Sequence, residues 1–288
     1  MKNDIAVIIP TYNRVKYLSK LVSDLSYQSV KSFIIIIVDA SNNCNIKNYL
    51  KKLKMANLRY LRVNSGKFWT GTINQGIKYT QNIQGISGVV LLNDDVRIRN
   101  DFIENIQILK EKHSRSLIGC VNIDVNDKNT ILWAGIKTNK WLAITKYLYK
   151  NQSINNINTQ QIIESFTLIG RGLYIPMEAF NKVGYFDEKH IPHRGDTEFP
   201  LRARKINYKL IVSLLPIVYI YNDETYKYDF GKTKLKDFKK VFFDFRSSSY
   251  IKTRFYYAKS ATNNKLQFLT FFSIEMLIHL RRFILRLF

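Results

Sequence analysis

Three short apolar runs, Ile5 to Ile9, Phe33 to Val38 and Val89 to Leu92, constrain this chain more than any other feature in it. None alternates with polar residues, as a strand facing water on one side would, so each reads as a strand covered on both faces. Strands of that kind belong to α/β sheets with helices packed on either side. After the first run, Leu18, Leu21, Val22 and Leu25 recur at helical spacing, and Ile46, Tyr49, Leu50 and Leu53 do so after the second. A third strand is predicted near residues 58–63. Strand, helix, strand, helix in that order predicts a parallel sheet with right-handed crossovers.

The residues just past each run matter for chemistry, because parallel strands end on one edge of the sheet. Pro10 stops the first strand in a Pro-Thr-Tyr-Asn-Arg turn, where Asn13 can cap the helix. The second run ends at Asp39 and the third at Asn93-Asp94-Asp95. Two adjacent carboxylates at the mouth of a buried strand need a cation or a proton between them. A divalent metal with a diphosphate would complete an oxygen shell there. Asn-Asp-Asp is equally good turn chemistry, and at this level the two readings stand side by side.

Between the second and third runs lies Asn64-Ser65-Gly66-Lys67-Phe68-Trp69-Thr70-Gly71-Thr72-Ile73-Asn74-Gln75-Gly76. It reads as a glycine-punctuated loop entering a helix, whose backbone N–H groups could approach an anion. It matches neither the P-loop nor the dinucleotide fingerprint. Phe68 and Trp69 are either core residues or a platform for a sugar or base. The Asn-rich segment 124–165, with Trp133 and Trp141, reads as an insertion of hairpins and loops over the site. Glycines flank Arg171 in Gly170-Arg171-Gly172, leaving room for a phosphate at the guanidinium, or marking a bulge with a surface Arg. In His193-Arg194-Gly195-Asp196-Thr197-Glu198-Phe199-Pro200-Leu201-Arg202 a helix begins, with Asp196 or Thr197 as cap and Pro200 tolerated in its first turn. A carboxylate on a helix start is a cap or, if an acceptor hydroxyl reaches it, a general base.

The 288 residues allow one large or two modest domains. Lys and Arg number 45 against 22 Asp and Glu, a net charge of +23 that implies a polyanionic partner: nucleic acid, an anionic membrane or phosphorylated substrates. Cys44 and Cys120 are too few for a disulfide scaffold and fit a reducing compartment. The N-terminus enters a strand at once and reads as lacking a signal peptide, and no apolar run approaches the ~18–20 residues of a spanning helix. The expectation is a cytoplasmic protein, soluble or peripheral.

Five of these elements, in order and spacing, resemble the inverting glycosyltransferases of family 2: Val7 to Arg14, Val38-Asp39-Ala40-Ser41, Leu91 to Asp95, Gly170-Arg171-Gly172, and Val183-Gly184-Tyr185-Phe186-Asp187-Glu188 ahead of Gly195-Asp196-Thr197-Glu198. The resemblance covers residues 5–222. It implies an α/β, Rossmann-like nucleotide-diphospho-sugar transferase fold, a mixed and mostly parallel sheet flanked by helices. It further implies Asp196 as catalytic base and a nucleotide site at Pro10, Thr11, Asn13, Arg14, Asp39, Asn74 and Asp94. Sugar and diphosphate contacts are expected at Trp69, Gly71, Arg171 and Arg202, and a divalent metal, Mg or Mn, at Asp95 and Asp94. Two departures stand out. The metal motif begins with Asn93 where the family usually has Asp, and no His follows the late strand at Ile217 to Asp223, where Asp223 could substitute.

The implied activity is transfer of a sugar, by a rhamnosyl- or other hexosyltransferase, from a nucleoside diphosphate donor to a glycan or lipid-linked acceptor. Its setting would be bacterial surface polysaccharide synthesis (capsule, O-antigen or cell-wall glycan). A nucleotidyltransferase of similar fold is disfavoured because its glycine-rich, lysine-bearing N-terminal signature is missing. A nucleic-acid-binding protein would need aromatics interleaved on a basic face, not converging carboxylates that repel phosphate.

Beyond residue 230 the composition shifts, dividing the chain into a catalytic part, 1–230, and a tail, 231–288, with thirteen basic residues against three acidic. From Leu266 onward, Glu275, His279, Arg282 and Arg286 fall on one helix face, while Phe271, Phe272, Met276, Leu277, Ile278, Ile284 and Leu285 fill the others. Such a helix is expected to lie on the inner face of the membrane or to join two subunits as a homodimer, ahead of the plainer alternative of packing on the catalytic part.

Overall fold

The computed structural model describes residues 4–221 and 234–287. The first apolar runs form β1 (Ile5–Thr11), β2 (Phe33–Asp39) and, after α1 (Val15–Ser26) and α2 (Asn45–Lys51), β3 (Leu58–Arg62). Then come α3 (Phe68–Gln81), β4 (Gly88–Leu91), β5 (Val96–Ile98), α4 (Phe102–Lys112) and β6 (Ser116–Asp124). The Asn-rich segment contributes β7 (Ile131–Trp133), β8 (Ile136–Asn139), β9 (Ile144–Tyr147) and β10 (Ile162–Glu164). The chain continues through β11 (Leu173–Pro176), α5 (Met177–Val183), α6 (Gly195–Lys205) and β12 (Lys209–Ile220), and then α7 (Phe238–Phe243), α8 (Ile251–Ala261) and α9 (Lys265–Leu285).

The main sheet runs β10-β12-β6-β11-β4-β1-β2-β3. β3, β2, β1 and β4 are parallel, β11 is reversed between β4 and β6, and β12 runs parallel to β6. The sheet is therefore mixed and mostly parallel, as predicted. Successive residues of β1 face opposite cores: Ile5, Val7 and Ile9 meet α1, α2 and α4, while Ala6 and Ile8 meet α3 and the helices beyond it. That two-sided burial is why these strands carry no polar alternation. Pro10 does not end β1 but continues it, at a level that β4, whose last partner is Ile8, no longer reaches. β12 is longer than the late strand read from Ile217 onward. Its register shifts between Ser213 and Ile217, and Pro216 sits in that irregularity, where a missing N–H is tolerated.

Helix α3 lies so close to the sheet that a Cβ on Gly76 would stand 2.6 Å from Ile8 Cγ2 and 3.0 Å from Val38 Cγ2. Both neighbours are β-branched and fixed in central strands, so they cannot step aside. Gly76→Ala is expected to destabilise the fold by about 1–3 kcal/mol despite alanine's better helix propensity, measurable as a lowered denaturant midpoint. An unchanged or raised midpoint would show that α3 can lift off the sheet freely.

One expectation fails against the fold. Asn13 does not cap α1: its φ is +56°, its N–H donates to Ser41 Oγ at 2.8 Å, and the helix starts after Arg14 without a side-chain cap. The tail packs on the rest of the chain, since Ala258, Ala261 and Phe271 belong to the same core cluster as α3 and α6. Its last helix is turned the other way from the simplest reading of its stripe. Glu275 and His279 face inward, 9% and 7% exposed, with Glu275 paired to Arg254 at 3.0 Å and His279 Nδ1 2.8 Å from Ser249 Oγ. Burial pushes His279 down to about 3, so the imidazole is neutral. Leu266, Leu269, Leu277, Leu280 and Ile284 line the exposed face instead, with Leu277 61% exposed. Among the described residues no helix is long and apolar enough to cross a membrane.

Candidate functional site

The strand order reverses between β1 and β4, since β2 and β3 lie on one side of β1 and β4 on the other. Open α/β sheets place their ligand crevice at such a point, outside the carboxyl ends of the strands. Here Thr11 Oγ1, at the end of β1, donates to Asp94 Oδ2 at 2.7 Å, just past β4. Arg14 Nη1 reaches both carboxylates, 3.4 Å from Asp94 Oδ1 and 3.0 Å from Asp95 Oδ2. Asp95 Oδ1 is buried with no hydrogen-bond partner among the described residues. Burial, offset in part by the Thr11 bond and reinforced by the neighbouring Asp95 charge, pushes Asp94 up to about 6. A pair of buried carboxylates, one oxygen without a partner and one carboxyl raised, is short of positive charge. The donor set, two hard oxygen ligands, fits Mg²⁺ or Mn²⁺ completed by phosphate and water. Among the described residues no group of three or more His, Cys, Asp or Glu forms a closed metal cage. Asp223, the expected substitute ligand, lies outside the described residues.

Asp39, fully buried at the end of β2, accepts from Ser41 N–H and Tyr60 Oη–H at 2.8 Å each and from Arg62 at 3.0 Å. With the Asn13–Ser41 bond and Asn43 donating to Asn13 Oδ1 at 2.9 Å, this ties the turns after β1 and β2 into one wall. Tyr12 stands exposed on that wall, an aromatic face beside Thr11. Sequence reasoning misses Tyr12, Tyr60 and Arg62 as site residues. Tyr12 at least lies inside the Pro-Thr-Tyr-Asn-Arg turn, whereas Tyr60 and Arg62 carry no signal beyond their place at the end of β3.

The opposite wall carries Asp196. It is the second residue of α6, and neither it nor Thr197 caps the helix, whose preceding residue Arg194 takes a left-handed φ of +65°. The Asp196 carboxylate instead accepts the Gly170 N–H at 2.6 Å. Burial raises its pKa, opposed by that N–H and by the charges of Arg194 and Arg171. Pro200 lies in the second turn, not the first, and so withholds the N–H that would otherwise bond the Asp196 carbonyl. Gly170 is squeezed between the walls: a Cβ there would meet Trp69 Cζ2 at 2.8 Å and Asp196 Cβ at 3.2 Å. Trp69 in turn donates its indole N–H to Asn93 Oδ1 at 3.1 Å. The Asn93 side chain thus links the carboxylate pair to the side of the site that holds Asp196. A Cβ on Gly172, whose φ is +89°, would stand 2.7 Å from Val218 Cγ2 and 2.8 Å from Cys120 Cβ.

Three expected contacts are assigned differently. Asn74 is buried and holds the Phe186 backbone, donating to its carbonyl at 2.9 Å and accepting its N–H at 3.1 Å. Arg202 pairs with Glu198 and donates to the Val183 and Tyr185 carbonyls, bracing the segment before α6. Gly71 is inside α3 and not in a phosphate loop, with Glu188 Oε2 2.8 Å from where its Cβ would stand. Arg171 remains beside Asp196 through its charge, and its carbonyl accepts from Asn122 at 3.0 Å.

The family model for glycosyl transferase family 2 matches residues 6–175. The chain belongs to that family. It is 27% identical to dTDP-rhamnosyl transferase RfbF of Shigella flexneri over 75% of this chain and 68% of that one. It is 20% identical to the low-salt glycan biosynthesis hexosyltransferase Agl10 of Haloferax volcanii over 86% and 75%. Among solved structures, S. aureus TarS 1-349 in complex with UDP-GlcNAc aligns with a TM-score of 0.62 and 16% identity, over 99% of this chain and 81% of that one. The chain spans 43% of the longer TarS structure, at a TM-score of 0.60. These likenesses show the GT-A fold, and the family match makes the chain a glycosyltransferase.

Proposed function

We propose that this family 2 enzyme moves a hexose, rhamnose among the candidates, from a nucleoside diphosphate onto a hydroxyl of a glycan or lipid-linked acceptor, with inversion. Its setting in this reading is the inner face of the membrane, in surface polysaccharide assembly. The observation that carries the reading is the pairing of an acidic crevice short of one cation with a raised carboxylate on the facing wall, bridged by Asn93, Trp69 and Gly170.

In this reading Thr11, Asp39 and the Tyr12 face hold the nucleoside, and Asp94 and Asp95 hold the metal. The metal supplies positive charge to the departing diphosphate. Arg14, which bridges the carboxylates in the free protein, is placed to turn toward the phosphates once their charge is met. Asp196 takes the proton from the acceptor hydroxyl as that oxygen attacks the anomeric carbon from the side opposite the diphosphate, which gives inversion. Its raised pKa makes it a better proton acceptor than an exposed carboxylate, and the Gly170 N–H keeps it aimed. The exposed apolar face of α9 supports peripheral membrane contact.

The likeness to a dTDP-rhamnosyl transferase makes a dTDP-sugar the first donor to test. Purified protein with Mn²⁺ is expected to release nucleoside diphosphate from one member of a panel of dTDP-, UDP- and GDP-sugars well above the rest. Equal, background release from all of them would sink the donor assignment.

A further inference from the structure

Lys140, Arg204, Lys205 and Asn263 line a cavity of about 510 Å³ formed where the β8–β9 turn, the end of α6 and the α8–α9 junction meet. Three of its four lining residues are cations, and among the described residues none of the three has a carboxylate within ion-pair distance. Lys140 Nζ is 3.5 Å from Asn263 Oδ1, Lys205 donates to the Lys259 carbonyl at 2.8 Å, and Arg204 donates to the Phe166 carbonyl at 2.8 Å while lying over the Phe166 ring. Glu198, the acid next along α6, is already held by Arg202 and Ser260. Burial, then the charge of the neighbouring Arg204, lowers the pKa of both Lys140 and Lys205, offset in part at Lys205 by Glu198. Like charges are not drawn into one cavity without cost, so the arrangement calls for an anion with at least two acceptor oxygens.

The exposed residues that follow the lining in sequence point to the source of that anion. Trp141, next to Lys140, is 46% exposed, and Leu266, at the start of α9, is 63% exposed. Leu142 and Leu269 flank them, also exposed, and the outward face of α9 continues the apolar surface through Leu277 and Leu280. A charged cavity whose lining residues are followed in sequence by exposed apolar side chains, Trp141 and Leu142 after Lys140 and Leu266 after Asn263, matches a lipid headgroup with acyl chains nearby, whereas a site for a free anion needs no such neighbours. We propose that this cavity binds the phosphate of an anionic membrane lipid, with Trp141, Leu142 and Leu266 entering the boundary of the acyl region. The proposal rests on the membrane-face reading above and gives it a specific contact. Arg204 lies eight residues along α6 from Asp196, roughly 12 Å at helical rise, so the cavity and the base are carried by one helix.

The test uses the full chain without donor, in vesicles of phosphatidylcholine with or without phosphatidylglycerol. Trp69 is partly buried and Trp133 buried, so a blue shift of tryptophan emission on binding should come from Trp141 and vanish in Trp141→Phe. The double variant K140Q/K205Q is expected to bind anionic vesicles roughly ten- to thirty-fold more weakly, two charges removed at the surface. K47Q/K51Q, which removes the same charge from α2, should bind like wild type. Equal loss in both pairs would reduce the effect to net charge and overturn the pocket. No loss in K140Q/K205Q, with binding still weakened by Leu277→Asp, would overturn the pocket while leaving membrane contact standing. Wild type that ignores both vesicle types, or that takes up glycerol phosphate in the pocket but not vesicles, would overturn the lipid assignment. None of these outcomes depends on turnover, so the transferase reading stands or falls separately by its donor and Asp196 assays.

Discussion

Asp196→Asn is expected to lower sugar transfer by about two to four orders of magnitude, the range that a positioned general base contributes, while donor binding is unchanged. Asn is nearly isosteric and its amide oxygen can still accept the Gly170 N–H that Asp196 accepts at 2.6 Å, so the wall keeps its shape. Stability should not fall. An acid whose pKa is raised by folding costs stability when ionised, and that cost grows as pH rises from the ordinary carboxyl range through the raised value. Replacing it with a neutral amide removes the cost at neutral pH. The decisive measurement is kcat with a saturating acceptor beside a thermal melt. Normal turnover together with a lowered melting temperature would leave Asp196 a structural residue and no base.

A comparable loss, roughly a thousandfold, is expected when Asp95 is replaced by Ala, since stabilising a departing diphosphate through a metal amounts to several kcal/mol. Asp95 has the clearer opening for a cation: its Oδ1 is buried and without a partner among the described residues, whereas Asp94 already accepts Thr11 and Arg14. Asp94→Asn should therefore cost less. Mn²⁺ binding, followed by the loss of its free-ion EPR signal in the presence of donor nucleotide, should weaken in Asp95→Ala, and excess chelator should silence the wild type. Full activity in chelator would mean that Arg14 and the other cations of the crevice carry the diphosphate unaided.

The residues of these two predictions are readable from sequence for a physical reason. A buried strand that ends in charge must end at the sheet's edge, and in a parallel sheet all such edges coincide, so Thr11, Asp39, Asp94 and Asp95 are bound to meet. Asp196 is legible through its motif. Its partner Gly170, twenty-six residues earlier, cannot be matched to it without the fold.

The chain by itself determined the parallel strands, their two-sided burial and the edge on which the carboxylates gather, because each follows from local pattern and the period of a strand. Only tertiary structure decided what the long polar side chains touch. Asn74 and Arg202 read as ligand contacts, and in the fold both also hold backbone, which no spacing announces, since a side chain with several hydrogen-bonding atoms serves whichever backbone lies nearest. Gly71 and Gly76 look like loop punctuation and lie inside α3, and at Gly76 closeness to Ile8 and Val38, not backbone freedom, favours glycine. In α9 the spacing of Glu275 and His279 defines a polar face but cannot say which way it turns. Arg254 and Ser249, on a different part of the chain, draw that face inward and leave the leucines outside. Lys140, Arg204, Lys205 and Asn263 meet in one cavity from three separate stretches of sequence, which no period or motif within any one of them could announce.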